Sequence, residues 1–81
     1  MKYIINLDIE DYRRLYTGDH LKQISNTTYG YIYTTEYKHK ATGVIIRIQE
    51  TMEELDFLYA ETDSKTAMDD FKDQLTIVRI N

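Results

Sequence analysis

The chain has 81 residues and a formal net charge of −4, with no cysteine, no proline and only three glycines. It is long enough for one domain and too short for a large enclosed pocket, and it has no thiol for a disulfide or a zinc–thiolate cluster. An apolar fraction of 42 %, with ten isoleucines, supplies a packed core, so a wholly disordered chain is excluded.

The opening segment MKYIINLD carries too short an apolar run for a signal peptide. No stretch approaches the roughly 20 apolar residues of a membrane span, so a soluble cytoplasmic protein is expected. KYIINL (2–7) reads as a first strand, rich in β-branched and aromatic side chains. Asp8 is placed to cap a helix in which Ile9, Tyr12, Leu15 and Tyr16 recur at helical spacing, with Gly18 as its stop. DHLKQI (19–24) suggests a short further turn of helix, and SNTT a loop. A tyrosine-rich strand is expected over about 28–37, then a turn at HKATG and a partner strand VIIRIQ (44–49).

Two patterns compete in TMEELDFLYAE (51–61). Thr51 and Glu54 form a capping box, and a helix groups Met52, Leu55, Leu58 and Tyr59. A strand over 55–60 instead places Leu55, Phe57 and Tyr59 on one face. The helix is preferred. Residues 63–75 then form a helix with the stripe Ala67, Met68, Phe71 and Leu75, and TIVRI (76–80) a closing strand. The order strand, helix, strand, strand, helix, strand predicts a single α+β domain over 1–81. It is the ferredoxin-like βαββαβ pattern of about four antiparallel strands with helices on one face, and the alternative has an extra meander strand at 55–60.

YGYIY (29–33) resembles the aromatic signature strand of the RNA-recognition motif, in which bases stack on exposed rings. The resemblance implies weak RNA or single-stranded DNA binding through Tyr31 and Tyr33. The family carries a basic residue before the glycine, where this chain has Tyr29. Tyr29, Tyr31, Tyr33 and Tyr37 alternate along one strand face, shared with Val44, Ile46 and Ile48 if they look inward. Most of the row is then core, and Tyr37, beside Lys38 and the turn, is its most exposed member.

Charge is unevenly spread: residues 1–49 hold seven basic and five acidic side chains, residues 50–73 two basic and nine acidic. On a helix, Glu50, Glu53, Glu54 and Glu61 fall within about 100° of one another with Phe57 between them, an aromatic anchor ringed by carboxylates. Asp69, Asp70 and Asp73 extend the acidic surface along the next helix. His20 and His39 are far apart in sequence and read as surface residues outside any metal-ligand spacing. No phosphate loop, nucleophile elbow or catalytic triad pattern occurs, so neither enzymatic activity nor a cofactor or metal is expected.

In size, acidity and lack of motifs the chain is similar to the small inhibitors that bacteriophages and mobile elements encode, anti-CRISPR proteins among them. That likeness implies a protein partner with a basic surface, such as the nucleic-acid channel of a nuclease or defence complex. Glu50, Glu53, Glu54, Phe57, Glu61, Asp69, Asp70, Asp73 and Tyr37 are the candidate contacts. The competing expectation is a homodimer or larger assembly joined through the tyrosine face or an edge strand at 76–80.

Overall fold

The computed structural model describes residues 1–80 as an α+β fold of five strands and two helices, in the order β1 (Tyr3–Asn6), α1 (Ile9–Thr17), β2 (Leu21–Tyr29), β3 (Ile32–His39), β4 (Ile45–Glu50), β5 (Leu55–Thr62) and α2 (Lys65–Ile80). The sheet order is β1-β5-β4-β3-β2, and every neighbouring pair is antiparallel. It is a four-strand meander with β1 laid against its far edge. The ferredoxin-like order is therefore corrected. The segment expected to be the second helix is β5, and the segment expected to be the last strand is the end of α2.

Each correction has a local cause. In 55–62 the two-residue alternation decides, with Leu58 and Ala60 buried on one face and Phe57 and Tyr59 half-buried on the other. Neither half of the expected capping box at Thr51 forms: its N–H and hydroxyl both donate to the Glu54 backbone carbonyl, which closes a loop and starts no helix. Residues 76–80 carry no glycine or proline to stop a helix already capped at Ser64, whose Oγ accepts the Ala67 N–H at 3.1 Å. Val78 stays half-buried one turn beyond Leu75, and Arg79 reaches α1. Of residues 19–24, expected as a turn of helix, 21–24 belong to the strand β2, which also takes up the expected loop SNTT.

Both helices pack on one face of the sheet. The core joins Leu15 of α1 and Met68, Phe71 and Leu75 of α2 to Tyr37, Val44, Ile46, Ile48, Leu58 and Ala60 of the strands. Each large side chain buried here contributes about 1.5–3 kcal/mol. The helices are joined by one ion pair of Asp11, almost wholly buried, with Arg79. Arg79 Nε and Nη2 donate to the two carboxylate oxygens at 2.8 Å each, and the Asp8 N–H donates to the same carboxylate at 3.1 Å. Gly18 caps α1 at a site suited to glycine, since a Cβ there would lie 2.7 Å from the His20 ring. The left-handed residue that turns the chain into β2 is Asp19, at φ 61°.

His39 departs most from expectation. It is 1 % exposed, its ring stacks on His20 at 6.2 Å and meets Phe71 edge-on at 5.0 Å. Its Nδ1 bonds the Thr42 hydroxyl at 2.8 Å, whereas the buried Nε2 has no partner among the described residues. The cause is parity: His39 lies two residues beyond Tyr37 on the face that the helices cover.

Candidate functional site

The tyrosine row divides between two strands. Tyr29 ends β2, Gly30 and Tyr31 form a two-residue hairpin loop, and Tyr33 and Tyr37 lie on β3. Gly30 sits at φ 61° in the first central position, where a type II′ hairpin needs a left-handed residue. Tyr37 pairs across the strands with Ile46, and Tyr33 with Glu50, so both point to the helix side. Only the first is covered. Tyr37 is 6 % exposed, its ring packs on Tyr12 and Tyr16 of α1, and its hydroxyl lies 2.8 Å from that of Tyr12. Burial, and then this hydrogen bond, push the Tyr12 hydroxyl well above its ordinary pKa.

The expected order of exposure is thus reversed. Tyr37 is core and out of a partner's reach, whereas Tyr29, Tyr31 and Tyr33 are 81 %, 71 % and 42 % exposed. The reason is reach: α1 covers the part of β3 near Tyr37, and the hairpin projects past the helix.

The acidic residues divide as well. Glu50 ends β4, and Glu53 and Glu54 occupy the β4–β5 loop, all three exposed. That loop lies beside the β2–β3 hairpin. Tyr31, Thr51, Met52, Glu53 and Glu54 together line a shallow open depression of about 470 Å³. Exposed Met52 and Leu55 add apolar surface to the same end of the sheet. Residues 23–37 and 48–64 include no lysine or arginine, so this tip carries aromatic rings and carboxylates without a cation from its own segments.

The remaining candidates sit elsewhere. Asp69, Asp70 and Asp73 lie in the first part of α2, which starts at the opposite end of the sheet, after Thr62; Asp69 accepts from Lys65 at 2.9 Å. Phe57 is on β5, half-buried on the sheet face away from the helices, 5.4 Å from the Tyr59 ring. Glu61 is on that same face but buried. It pairs with Arg47, which also pairs with Glu36 and has its guanidinium 5.9 Å from the Tyr59 ring centroid. Ser25 Oγ donates to Glu36 at 2.8 Å, and that bond together with Arg47 holds the Glu36 carboxyl below the usual range. Lys2 adds a longer contact to Glu61, 3.6 Å. A cavity of about 360 Å³ opens beside Lys2, Arg47, Glu61 and Asp63, and the first three of these already pair with one another through Glu61.

Among the described residues no three His, Cys, Asp or Glu side chains come together to hold a metal, and no helix is long and apolar enough to cross a membrane. No family model matches the chain, and neither a curated protein nor a solved structure matches it. The expectation of one continuous strand through Tyr29 and Tyr31, with most of the row as core, is not met. The available signal was Gly30, because a lone glycine inside an alternating pattern marks a break in the strand.

Proposed function

We propose that the protein is a non-enzymatic binder that presents its tyrosine–carboxylate tip to a basic surface of another protein. The observation that carries this reading is the meeting of exposed Tyr31 and Met52 with Glu53 and Glu54 around one depression, in segments without a cation. Aromatic side chains supply large contact area at low entropic cost, and surrounding carboxylates select a positive partner and speed its encounter. A surface of this kind suits the occupation of a nucleic-acid-binding channel, where carboxylates take the place of phosphates. On this reading the protein is an inhibitor of a nuclease or defence complex, of the type encoded by phages and mobile elements. Direct binding of RNA at the same rings is disfavoured by the lack of Lys and Arg to neutralise phosphate.

The test is affinity capture from bacterial lysate at low and high salt, with the unmodified chain, Tyr31→Ala, and the triple change of Glu50, Glu53 and Glu54 to Lys. The expected result is a nucleic-acid-handling protein retained at low salt and released at high salt. Tyr31→Ala should weaken its capture about tenfold or more, and the triple reversal should abolish it. Capture that withstands both high salt and the triple reversal would refute the proposal.

A further inference from the structure

Strand β2 forms one lateral edge of the sheet. After an irregularity between Gln23 and Ser25, the run Ser25–Tyr29 pairs with β3 in unbroken register. Tyr29 and Ile32 flank the two-residue loop, so they exchange both of their backbone hydrogen bonds. By the alternation of an antiparallel ladder, Ser25 and Thr27 also turn their amide groups toward β3, whereas Asn26 and Thr28 turn theirs outward.

Proteins usually blunt such an edge by shortness, charge, proline or a β-bulge. The opposite edge, β1, has four residues and is flanked by Lys2 and Asp8. Nothing comparable protects Ser25–Tyr29: the run holds no charged residue and no proline, and only Ser25 within it is even half-buried. The two protecting features of β2, the charge of Lys22 and the irregularity between Gln23 and Ser25, both precede the run.

We infer that β2 pairs with the β2 of a second copy of this chain, antiparallel, across a two-fold axis through Thr27. The axis falls there because Thr27 is the centre of the regular run. A two-fold axis perpendicular to the sheet keeps equivalent faces together and places residues of equal parity opposite each other. Asn26 of one copy then faces Thr28 of the other with both outward-turned amide groups engaged. Ser25 faces Tyr29, and Thr27 faces its own equivalent, a Thr–Thr pair suited to cross-strand hydrogen bonding. No like charges meet, and the five-stranded sheets merge into one. The pairing itself uses none of Tyr31, Met52, Glu53 and Glu54, which lie beyond the paired run.

The inference is tested by sedimentation velocity of the full chain over a concentration series. The unmodified protein is expected to show a concentration-dependent species of twice the chain's mass. Thr28→Pro removes an N–H that faces away from β3, so it should leave the circular dichroism spectrum intact and abolish the dimer. If that variant fails to fold, the decision rests on a charge pair at the axis. Thr27→Lys and Thr27→Asp should each raise the dissociation constant at least about tenfold when alone, and a mixture of the two should restore association as a heterodimer. A chain that stays monomeric throughout the series, a dimer that persists in folded Thr28→Pro, or a mixture that does not associate would overturn the inference.

Discussion

Mild acid should destabilise this protein through a single side chain. His39 is buried against Phe71, and its pKa is lowered from the ordinary value of 6.5, first by burial and then by neighbouring His20. The unfolded chain therefore takes up a proton near that ordinary value while the folded chain does not. Stability contributed by neutral His39 is complete above pH 6.5 and is lost as the pH falls toward the folded value. One proton of difference is worth about 1.4 kcal/mol per pH unit, so between about pH 6.5 and pH 5 the loss reaches at most about 2 kcal/mol. With an m-value on the order of 1 kcal/mol per molar urea, the midpoint falls by up to about 2 M. The window is selective. Asp11 and Glu36 have lowered pKa values, the first through Arg79 and the second through Ser25 and Arg47, so their contributions are lost only below the ordinary carboxylate values of 3.8 and 4.5. Urea titrations across this pH range should show the slope in the unmodified protein and in His20→Gln, and a flat response in His39→Leu. An equal slope in His39→Leu, or a flat one in His20→Gln alone, would refute the assignment to His39.

Two further changes test the contacts between the helices and between α1 and the sheet. Asp11→Asn keeps the shape but removes the charge that Arg79 grips with two hydrogen bonds, and should cost about 1–2 kcal/mol in chemical denaturation, the low end applying because half-exposed Arg79 can rehydrate. Tyr37→Phe deletes the hydroxyl bonded to Tyr12 while leaving the ring packing on α1, and should cost about 1 kcal/mol; no change would mean that water serves the Tyr12 hydroxyl equally well.

What the sequence made legible follows the strength of its local signals. β1, the start of α1, β4 and the start of α2 each had a pattern with no rival, and each stands close to its expected place. β2 was illegible because it is an edge strand in which only Leu21 is buried in the core, so no buried face imposes alternation on the residues that follow. In β5 a real alternation was outweighed by the Thr51–Glu54 capping signal, whose hydroxyl bond serves the preceding loop. Residues 76–80 show propensity overridden by context: β-branched Ile77 and Val78 remain helical because α2 continues without interruption and Arg79 has a buried carboxylate to reach. The acidic site was partly legible. Glu50, Glu53 and Glu54 needed only to be exposed, whereas their meeting with Tyr31 depends on which two loops share an end of the sheet, and that is a property of topology.

The two polar surfaces differ in what a partner would gain from them. On the sheet face away from the helices, Arg47 already satisfies Glu36 and Glu61, and a partner docking there must desolvate charges that have internal counterparts. Replacing such contacts returns little, since the attraction gained is offset by the pairing given up. Phe57 and Tyr59 on that face are also half-buried against each other, which reduces the apolar area left to cover. At the tip the balance is reversed. Glu53 and Glu54 have no lysine or arginine within their own loop, and Tyr31 and Met52 are largely in water. A basic partner there gains apolar burial and unopposed charge attraction together, which is why the tip, rather than the sheet face with its larger polar network, is the stronger candidate for the binding surface.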